Sequence, residues 1–372
     1  MSKRVLVLAL VCIVAAGSLF AAGQREAVGV DDYRIGIMTG TVSQGEEEFR
    51  AAENMKEIYG DKIVITTYPD RFMQEQETTI SNMMAMASDP QVKAIVMVQA
   101  VPGATAAIQR VREVRPDILF ILGAPQEDPD VIARYGDINL QTNDIARGAQ
   151  IAQHSQDMGA KVLVHYSFPR HMSIEMLAVR RDLMKAEAER IGLKFIEEDA
   201  PDPTGDAGVP GTQQFIMEDV PRKIAEYGKD TAFFGTNCAM MEPLIRQSVS
   251  GGAIFPVQCC PSPYHALPGA LGIRIPADKQ GNLEWIREEI AKVVAANNST
   301  GRVATWPVPV NMMYVEAGVR YSIEFIEGRT NGRMDKDVLI SIMEDVAGGG
   351  VDLEEYQNYE NYFLYMSDHL IF

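Results

Sequence analysis

The chain has 372 residues, of which 47% are hydrophobic and 23% charged, a balance typical of a globular protein with room for two domains. Its formal net charge of −17 at pH 7 gives an acidic surface that repels nucleic acid and anionic membrane surfaces. This charge therefore excludes nucleic-acid binding as the general function of the protein.

The first residues have the pattern of an export signal. Lys3 and Arg4 precede the apolar run VLVLALVCIVAAG, and the small residues of SLFAAGQ follow it. We predict a signal peptide over residues 1–21, cleaved after Ala21, which places the mature protein in the periplasm or another extracytoplasmic space. A retained membrane anchor is the alternative. A lipid on Cys12 is disfavoured because this cysteine lies inside the apolar run.

Strand and helix patterns alternate along the chain from residue 33 to Asn143. Runs of Ile, Val, Leu and Met without polar alternation are typical of strands covered on both faces, as in parallel sheets. Strands are predicted at 33–40, 62–69, 92–100, 117–125 and 137–143. Helices are predicted between the first four of them, at 46–60, 76–89 and 104–114.

The same alternation restarts after Asn143. Strands are predicted at 161–168, 193–201, 231–237 and 253–260, and helices at 144–159, 173–192, 212–228 and 239–252. Two successive α/β units of similar size, each with a sheet of its own, follow from this order. The sequence therefore predicts an α/β fold with two doubly wound parallel-sheet lobes.

Four segments resemble the type I periplasmic binding proteins, the solute receptors of ABC importers. They are YRIGIMTGTVSQGEEEFRAAENM, INLQTNDIARGAQIAQHSQDMG, TAFFGTNCAMMEPLIRQSVSGG and VPVNMMYVEAGVRYSIEFIEGR, and the resemblance covers roughly residues 33–330. The segments GTVSQGE, HYSFPRHMS, TNCAM and CCPSPYH are similar to those of an uncharacterised bacterial branch of this superfamily.

This resemblance implies two lobes joined by a hinge, with a ligand cleft between them. The first lobe is expected at 33–142 plus about 308–329, the second at about 145–305, and an extension packed on the lobes at 330–372. The implied function is capture of a small polar molecule for the membrane permease of an ABC importer. The protein is expected to act as a monomer, without a cofactor and without catalysis. A chemosensory or signalling receptor of the same fold is the alternative.

Ligands of such a fold bind beyond the carboxyl ends of the parallel strands, where loops and helix N-termini meet. The polar residues at these positions are therefore the predicted ligand-binding residues. They are Thr39, Ser43, Gln44, Gln99, Gln126, Asn143, Tyr166, Arg170, His171, Thr212, Asn237 and Tyr264. Ser43, Gln44 and Asn237 also have a structural explanation as turn or helix-cap residues.

The strand-to-helix turn around Arg170 carries the most specific of these predictions. Its guanidinium offers a rigid fork of donors that suits carboxylate or phosphate, with His171 and Tyr166 beside it. We expect Arg170 to contact the ligand from the second lobe while Gln99 contacts it from the first. An ion pair with a local carboxylate is the alternative. Sugars, nucleosides, amino acids and organic acids all stay open as ligands.

Cysteine and histidine residues leave two further functions open, an extracytoplasmic hydrolase and a metal-binding protein. Cys238, Cys259 and Cys260 could supply soft metal ligands together with His171, but no paired CxxC or HxxxH spacing occurs, so small buried cysteines and no metal are expected. Their odd number does not indicate a disulfide framework. A hydrolase needs a nucleophile, a base and an orienting acid, and no GxSxG or HExxH motif is present.

Overall fold

Residues 32–372 are described by a computed structural model, and the predicted signal peptide, its cleavage point and Cys12 lie outside them. Within residues 32–372, no helix combines the length and the apolar character needed to cross a membrane. The strands and helices are numbered below in chain order.

The strands are β1 (Arg34–Thr39), β2 (Ile63–Thr67), β3 (Val92–Val98), β4 (Leu119–Gly123), β5 (Ile138–Thr142), β6 (Val162–Ser167), β7 (Lys194–Asp199), β8 (Thr231–Gly235), β9 (Ala304–Thr305), β10 (Leu353–Glu355), β11 (Tyr362–Tyr365) and β12 (Leu370–Ile371). The α-helices are α1 (Val42–Tyr59), α2 (Gln76–Ala87), α3 (Ala104–Val114), α4 (Pro129–Ile132), α5 (Asp144–Asp157), α6 (Pro169–Met172), α7 (Glu175–Ile191), α8 (Gly208–Tyr227), α9 (Met241–Gly251), α10 (Leu267–Leu271), α11 (Leu283–Ala296), α12 (Val310–Ile326) and α13 (Lys336–Ala347).

The first lobe is built on a seven-stranded sheet with the order β10-β11-β5-β4-β3-β1-β2. Neighbouring strands are parallel except for β10, which runs antiparallel to β11. The apolar runs of β3 and β4 are buried almost throughout because helices cover both faces of the sheet. Helix α12 packs against α1, β3 and β4, so a segment late in the sequence completes this lobe.

The second lobe has a parallel sheet with the strand order β7-β6-β8. Single parallel bridges continue this sheet, one from Ala232 to Ile254 and one from Phe255 to Val303. β9 and β12 form a short antiparallel pair next to it. Apolar side chains of this lobe form a core distinct from that of the first lobe.

The chain passes between the two lobes three times, from β5 into α5, from β9 into α12 and from β11 into β12. Several short crossings of this kind are typical of lobes that move about a hinge. The two parallel-sheet lobes confirm the predicted α/β fold class.

Two segments differ from the sequence-based expectation. The strand predicted at 253–260 is reduced to isolated bridges, and the C-terminal segment 330–372 is more than an extension packed on the lobes. It contributes α13, two strands of the first sheet and the partner of β9. The aromatic residues of β11 explain this difference, since all four residues Tyr362–Tyr365 are buried in a strand parallel to β5.

Candidate ligand-binding site between the lobes

A cavity of about 80 Å³ lies between the two lobes, at the carboxyl ends of their strands. Loops after β3, β4 and β5 line it from the first lobe, and α6, α7 and the segment after β8 line it from the second. This is where open α/β sheets bind ligands. The polar side chains on its wall are Gln99, Gln126, Glu127, Gln141, Thr142, Asp144, His171, Arg180, Thr236, Asn237, Cys238, Cys259, Cys260, Asn311 and Tyr362.

A chain of side-chain amides forms part of the first-lobe wall. Gln126 Nε2 donates to Gln99 Oε1 at 2.8 Å, and Gln99 Nε2 donates to Glu48 Oε1 at 2.9 Å. Gln99 Nε2 also lies 3.4 Å from the sulfur of Cys238, which belongs to the second lobe. Gln126 Oε1 and both polar atoms of the Asn311 side chain find no hydrogen-bond partner within residues 32–372. These buried groups are therefore available to a polar ligand.

Two buried arginines share one carboxylate at the first crossing between the lobes. Asp144 Oδ1 accepts a hydrogen bond from Arg147 at 3.0 Å and one from Arg180 at 2.5 Å. The exposed fractions are 0% for Arg147, 2% for Arg180 and 3% for Asp144, so all three charges are screened little by solvent. This cluster carries one positive charge in excess, which an anionic group in the cavity would offset.

Arg147 has a structural role, because its hydrogen bonds go to the backbone of a neighbouring loop. Its guanidinium donates to the carbonyl oxygens of Cys259 at 2.9 Å and Gln258 at 2.8 Å, and it lies 5.2 Å from the Trp306 ring centroid. Burial, the largest influence, lowers the pKa of Arg147, and Asp144 opposes this shift. Arg147 therefore ties α5 to the loop that carries two cysteines.

Arg180 lies on the cavity wall and has hydrogen-bond donors that Asp144 does not use. Its guanidinium is 5.1 Å from the Phe234 ring centroid, and only Nη1 reaches Asp144. Nε and Nη2 are buried and find no hydrogen-bond partner in the described part of the chain. A buried unpaired donor costs about 1–3 kcal/mol, so two on one side chain indicate a site prepared for an acceptor.

Close packing of α5 and α7 brings Arg180 to Asp144. Gly148 of α5 faces the backbone of α7, and a Cβ at this position would lie 2.5 Å from the carbonyl oxygen of Arg180 and 2.9 Å from Cβ of Leu183. No side chain fits at that distance, so the glycine sets the separation of the two helices.

The mouth of the second-lobe sheet contributes neutral polar groups. His171 Nδ1 lies 3.1 Å from Thr236 Oγ1, and its ring centroid is 4.2 Å from that of Phe168. Burial and the neighbouring arginines lower the pKa of His171 well below its usual value, so this ring is neutral at pH 7. Asn237 also lines the cavity, and its Oδ1 accepts a hydrogen bond from the backbone N–H of Ala239. The same side chain therefore caps the helical turn after β8 and forms part of the cavity wall.

Arg170 does not reach this cavity. Its guanidinium donates to both carboxylate oxygens of Asp202, at 2.8 and 3.0 Å, and lies 5.6 Å from the Phe72 ring centroid of the first lobe. Burial acts most strongly on Asp202 and opposes ionisation, yet the hydrogen bonds from Arg170 and Thr204 lower its pKa below the usual value. The structure therefore places Arg170 in the ion pair that was the alternative to ligand recognition.

Three other predicted residues of the second lobe lie elsewhere. The Tyr166 hydroxyl donates to Asp219 at 2.8 Å inside the core, because β6 directs this ring toward α8. The Thr212 hydroxyl donates to the carbonyl of Pro201 at 2.8 Å. Tyr264 lines a separate groove against α1. Strand-end position alone does not fix which way a side chain points.

Four predicted residues of the first lobe are held by local contacts outside the cavity. Thr39 donates to a neighbouring carbonyl, and the exposed Ser43 belongs to the cap of α1. Gln44 is buried, and its Nε2 lies 3.5 Å from a backbone carbonyl. Asn143 caps α5 with Oδ1 and donates from Nδ2 to Glu354 at 2.9 Å. The cavity thus includes four of the twelve predicted residues: Gln99, Gln126, His171 and Asn237.

Three thiols meet at the edge of the cavity. The sulfur of Cys238 lies 3.5 Å from that of Cys259 and 3.9 Å from that of Cys260. Hydrogen bonds with the other two thiols lower the pKa of Cys238 to about 5. Glu48 of the first lobe adjoins this group, and burial raises its pKa to about 7. The sulfur atoms come from two loops more than twenty residues apart, so a search for paired CxxC spacing misses them.

Four further residues of this region were not among the predicted ones: Arg180, Arg147, Asp144 and Asn311. Asp144 directly follows Asn143, which was predicted as a ligand-binding residue and caps α5, and this place after a strand is a usable signal in the sequence. Arg180 lies in the middle of the charged helix α7, and nothing in its sequence context distinguishes it from solvent-exposed arginines.

Solved structures with the same architecture define the class of fold. A protein from Clostridium difficile 630 described as a transcriptional regulator superposes with a TM-score of 0.73 at 24% identity, over 92% of this chain and 99% of that chain. A sugar ABC transport substrate-binding protein from Bordetella parapertussis 12822 superposes with a TM-score of 0.52 at 12% identity, over 92% of this chain and 89% of that chain. The chain has the type I periplasmic binding protein fold.

The sequence comparison gives the particular family. The chain belongs to the family described as protein of unknown function DUF3798, whose model matches residues 33–304. A protein from Treponema pallidum (strain Nichols), described as uncharacterized, is 38% identical over 183 residues, which are 47% of this chain and 83% of that protein. This membership agrees with the resemblance to an uncharacterised branch of the superfamily.

Proposed function

We propose that this protein is an exported solute-binding protein that captures a small organic anion between its two lobes. The observation that carries the proposal is the buried guanidinium of Arg180, which faces the cavity with two unpartnered donors. Carboxylate and phosphate match such a planar fork of donors.

The surrounding groups favour an anion that also has hydroxyl or amide groups. The pair of arginines around Asp144 carries an uncompensated positive charge, and His171 is neutral. Gln126 and Asn311 add unpartnered amide atoms on the opposite wall. A neutral sugar would use these amides but would leave the excess charge of the arginines unbalanced.

The size of the cavity agrees with a small ligand held by closed lobes. Its volume of about 80 Å³ is below the roughly 300–1,000 Å³ of typical ligand pockets. Entry of the ligand requires the lobes to separate at the three crossings, and closure then buries the bound molecule.

Export and transport are supported by the sequence pattern at the N-terminus and by the fold. Lys3 and Arg4 with the apolar run behind them fit a cleaved signal. The sugar ABC transport substrate-binding protein from Bordetella parapertussis shares the fold, and delivery of the ligand to an ABC permease is proposed on that likeness. Action as a monomer is part of the same proposal. The division into a first lobe at 33–142 plus about 308–329 and a second lobe at about 145–305 is part of the same proposal.

The test is a thermal-shift screen of the purified protein against organic acids, amino acids, sugar phosphates and neutral sugars. We expect stabilisation by a small carboxylate or phosphate compound, which is then recovered chemically unchanged. Stabilisation by neutral sugars alone would contradict the anion proposal. Conversion of the stabilising compound to a product would contradict the non-enzymatic function.

A further inference from the structure

Four side chains with metal-binding atoms meet where the second lobe faces the first. The Cys238 sulfur lies 3.5 Å from the Cys259 sulfur and 3.9 Å from the Cys260 sulfur. One ligand atom from each of Cys238, Cys259 and His265 lies within 4.8 Å of the other two. We propose that this group, the thiol cluster, binds one thiophilic divalent cation of the zinc class, a function that goes beyond capture of an organic solute.

The distances between the sulfur atoms fit a tetrahedral ion. Zinc–sulfur bonds are about 2.3 Å long, so two sulfur atoms on a tetrahedral zinc ion lie roughly 3.8 Å apart. The observed distances of 3.5 and 3.9 Å lie on either side of this value. Cys238, Cys259 and His265 supply three donors, and the Cys260 sulfur, 3.9 Å from that of Cys238, is the candidate for the fourth. Three thiolates and one imidazole form a donor set that is typical of structural zinc sites.

The hydrogen bond of His265 leaves a ring nitrogen free for a metal. Its Nδ1 lies 2.6 Å from the backbone carbonyl oxygen of Cys260. A carbonyl oxygen only accepts, so Nδ1 carries the proton and Nε2 carries the lone pair. Metal-binding histidines are usually oriented by a hydrogen bond of this kind from the other ring nitrogen.

The first lobe places two buried carboxyl groups against the thiol cluster. Glu47 and Glu48 of α1 are 5% and 2% exposed and interact electrostatically with His265 and Cys260. Neither carboxylate oxygen of Glu47 makes a hydrogen bond of ordinary geometry within residues 32–372. A cation bound by the cluster would attract these carboxyl oxygens, and it would join the two lobes because its ligands and the two carboxyl groups come from opposite sides of the cleft.

A disulfide between Cys238 and Cys259 is the competing outcome. The protein is proposed to be exported, and thiols in an oxidising compartment form disulfides when their geometry permits. Metal binding releases thiol protons to solvent and leaves the oxidation state of sulfur unchanged, whereas a disulfide consumes both thiols. Thiol counting on the untreated protein separates the two states.

The experiment uses two samples of the full mature chain. One is purified without reductant and left untreated for thiol counting and metal analysis. The other is stripped of metal and kept reduced for titration. Thiol counting and metal analysis of the untreated protein should find three reduced cysteines and one Zn²⁺ per chain. Titration with Co²⁺ should produce sulfur-to-cobalt charge-transfer absorption that saturates at one ion per chain, and Zn²⁺ should displace that ion. Zn²⁺ should also protect the cysteines from alkylation in the unmutated protein.

Variants assign the ligands. Cys238→Ser and Cys259→Ser should each lower Co²⁺ affinity by about 100-fold or more, and His265→Ala by at least about 10-fold. His369→Asn, which removes a histidine that stacks on His154 and supplies no ligand atom to the cluster, is the matched control and should retain the absorption. A Cys238–Cys259 disulfide in the untreated protein, absence of the absorption, or cysteine variants that bind Co²⁺ like the unmutated protein would overturn the proposal. The alkylation assay needs no mutation, so a variant that fails to fold leaves the test intact.

Discussion

Replacing Arg180 with methionine should weaken ligand binding by orders of magnitude without unfolding the protein. Asp144 keeps its pair with Arg147 in this variant, so no buried carboxylate is left alone. The lost charge-assisted hydrogen bond costs about 1.5–3 kcal/mol of folding free energy, but two unpartnered donors worth about 1–3 kcal/mol each disappear as well. The two contributions have opposite signs, so the free energy of unfolding should fall by no more than about 1 kcal/mol.

The loss of affinity should be much larger. If Nε and Nη2 each donate to the bound anion, their removal costs about 3–6 kcal/mol of binding free energy, which is a factor of roughly 10² to 10⁴ in Kd. Calorimetric titration with the compound found in the screen measures this factor. Urea unfolding of the same samples measures stability.

Two matched arginine variants provide the controls. Arg147→Met leaves two buried backbone carbonyls without their donors, at about 1–3 kcal/mol each, so it should cost about 2–6 kcal/mol of stability. Arg170→Gln should leave the affinity unchanged, because Arg170 pairs with Asp202 outside the cavity. Equal affinity of the unmutated protein and a folded Arg180→Met variant would refute the reasoning about the Arg180 donors.

Three further substitutions test how the site is supported. Gly148→Ala should force α5 and α7 apart at the carbonyl of Arg180, which lowers stability by about 1–3 kcal/mol and weakens ligand binding. Thermal unfolding and titration measure the two effects. Unchanged stability and affinity would contradict the close-packing argument. Asp202 has a depressed pKa in the folded state, so its pair with Arg170 stabilises the protein above the usual aspartate pKa of about 4 and is lost as the pH falls through the folded-state value. The difference in Tm between the unmutated protein and Asp202→Asn should therefore be largest near pH 7 and shrink in acid, and a difference independent of pH would argue against it. Tyr166→Phe should lower the free energy of unfolding by about 1.5–3 kcal/mol through loss of a buried hydrogen bond, with ligand affinity unchanged. Weaker binding at unchanged stability would indicate instead that Tyr166 contacts the ligand.

The strand pattern of both lobes could be predicted because the hydrophobic runs are local and long enough to identify. Val92–Val98 and Leu119–Gly123 are apolar runs buried on both faces, which a parallel sheet requires. The strand at Tyr362–Tyr365 was missed because it joins the first sheet beside β5, more than two hundred residues earlier in the chain. Pairing across such a distance has no signature in the local sequence.

The candidate site was predicted less completely, for a different reason. Four residues predicted from their strand-end position line the cavity, Gln99 and His171 among them. The direction of each side chain depends on packing, which placed Arg170 beside Asp202 and brought Arg180 inward from the neighbouring helix. The three thiols likewise meet only after two loops of the second lobe fold against each other.

Native mass spectrometry of the protein, purified without refolding, tests the central claim most directly. The unmutated protein should carry a small organic anion of discrete mass, and this added mass should be absent from a folded Arg180→Met variant prepared in the same way. The same added mass on both proteins would contradict the assignment of Arg180 as the ligand anchor. An unmutated protein with no added mass, and with no stabilising anion in the screen, would contradict the proposed solute-binding function.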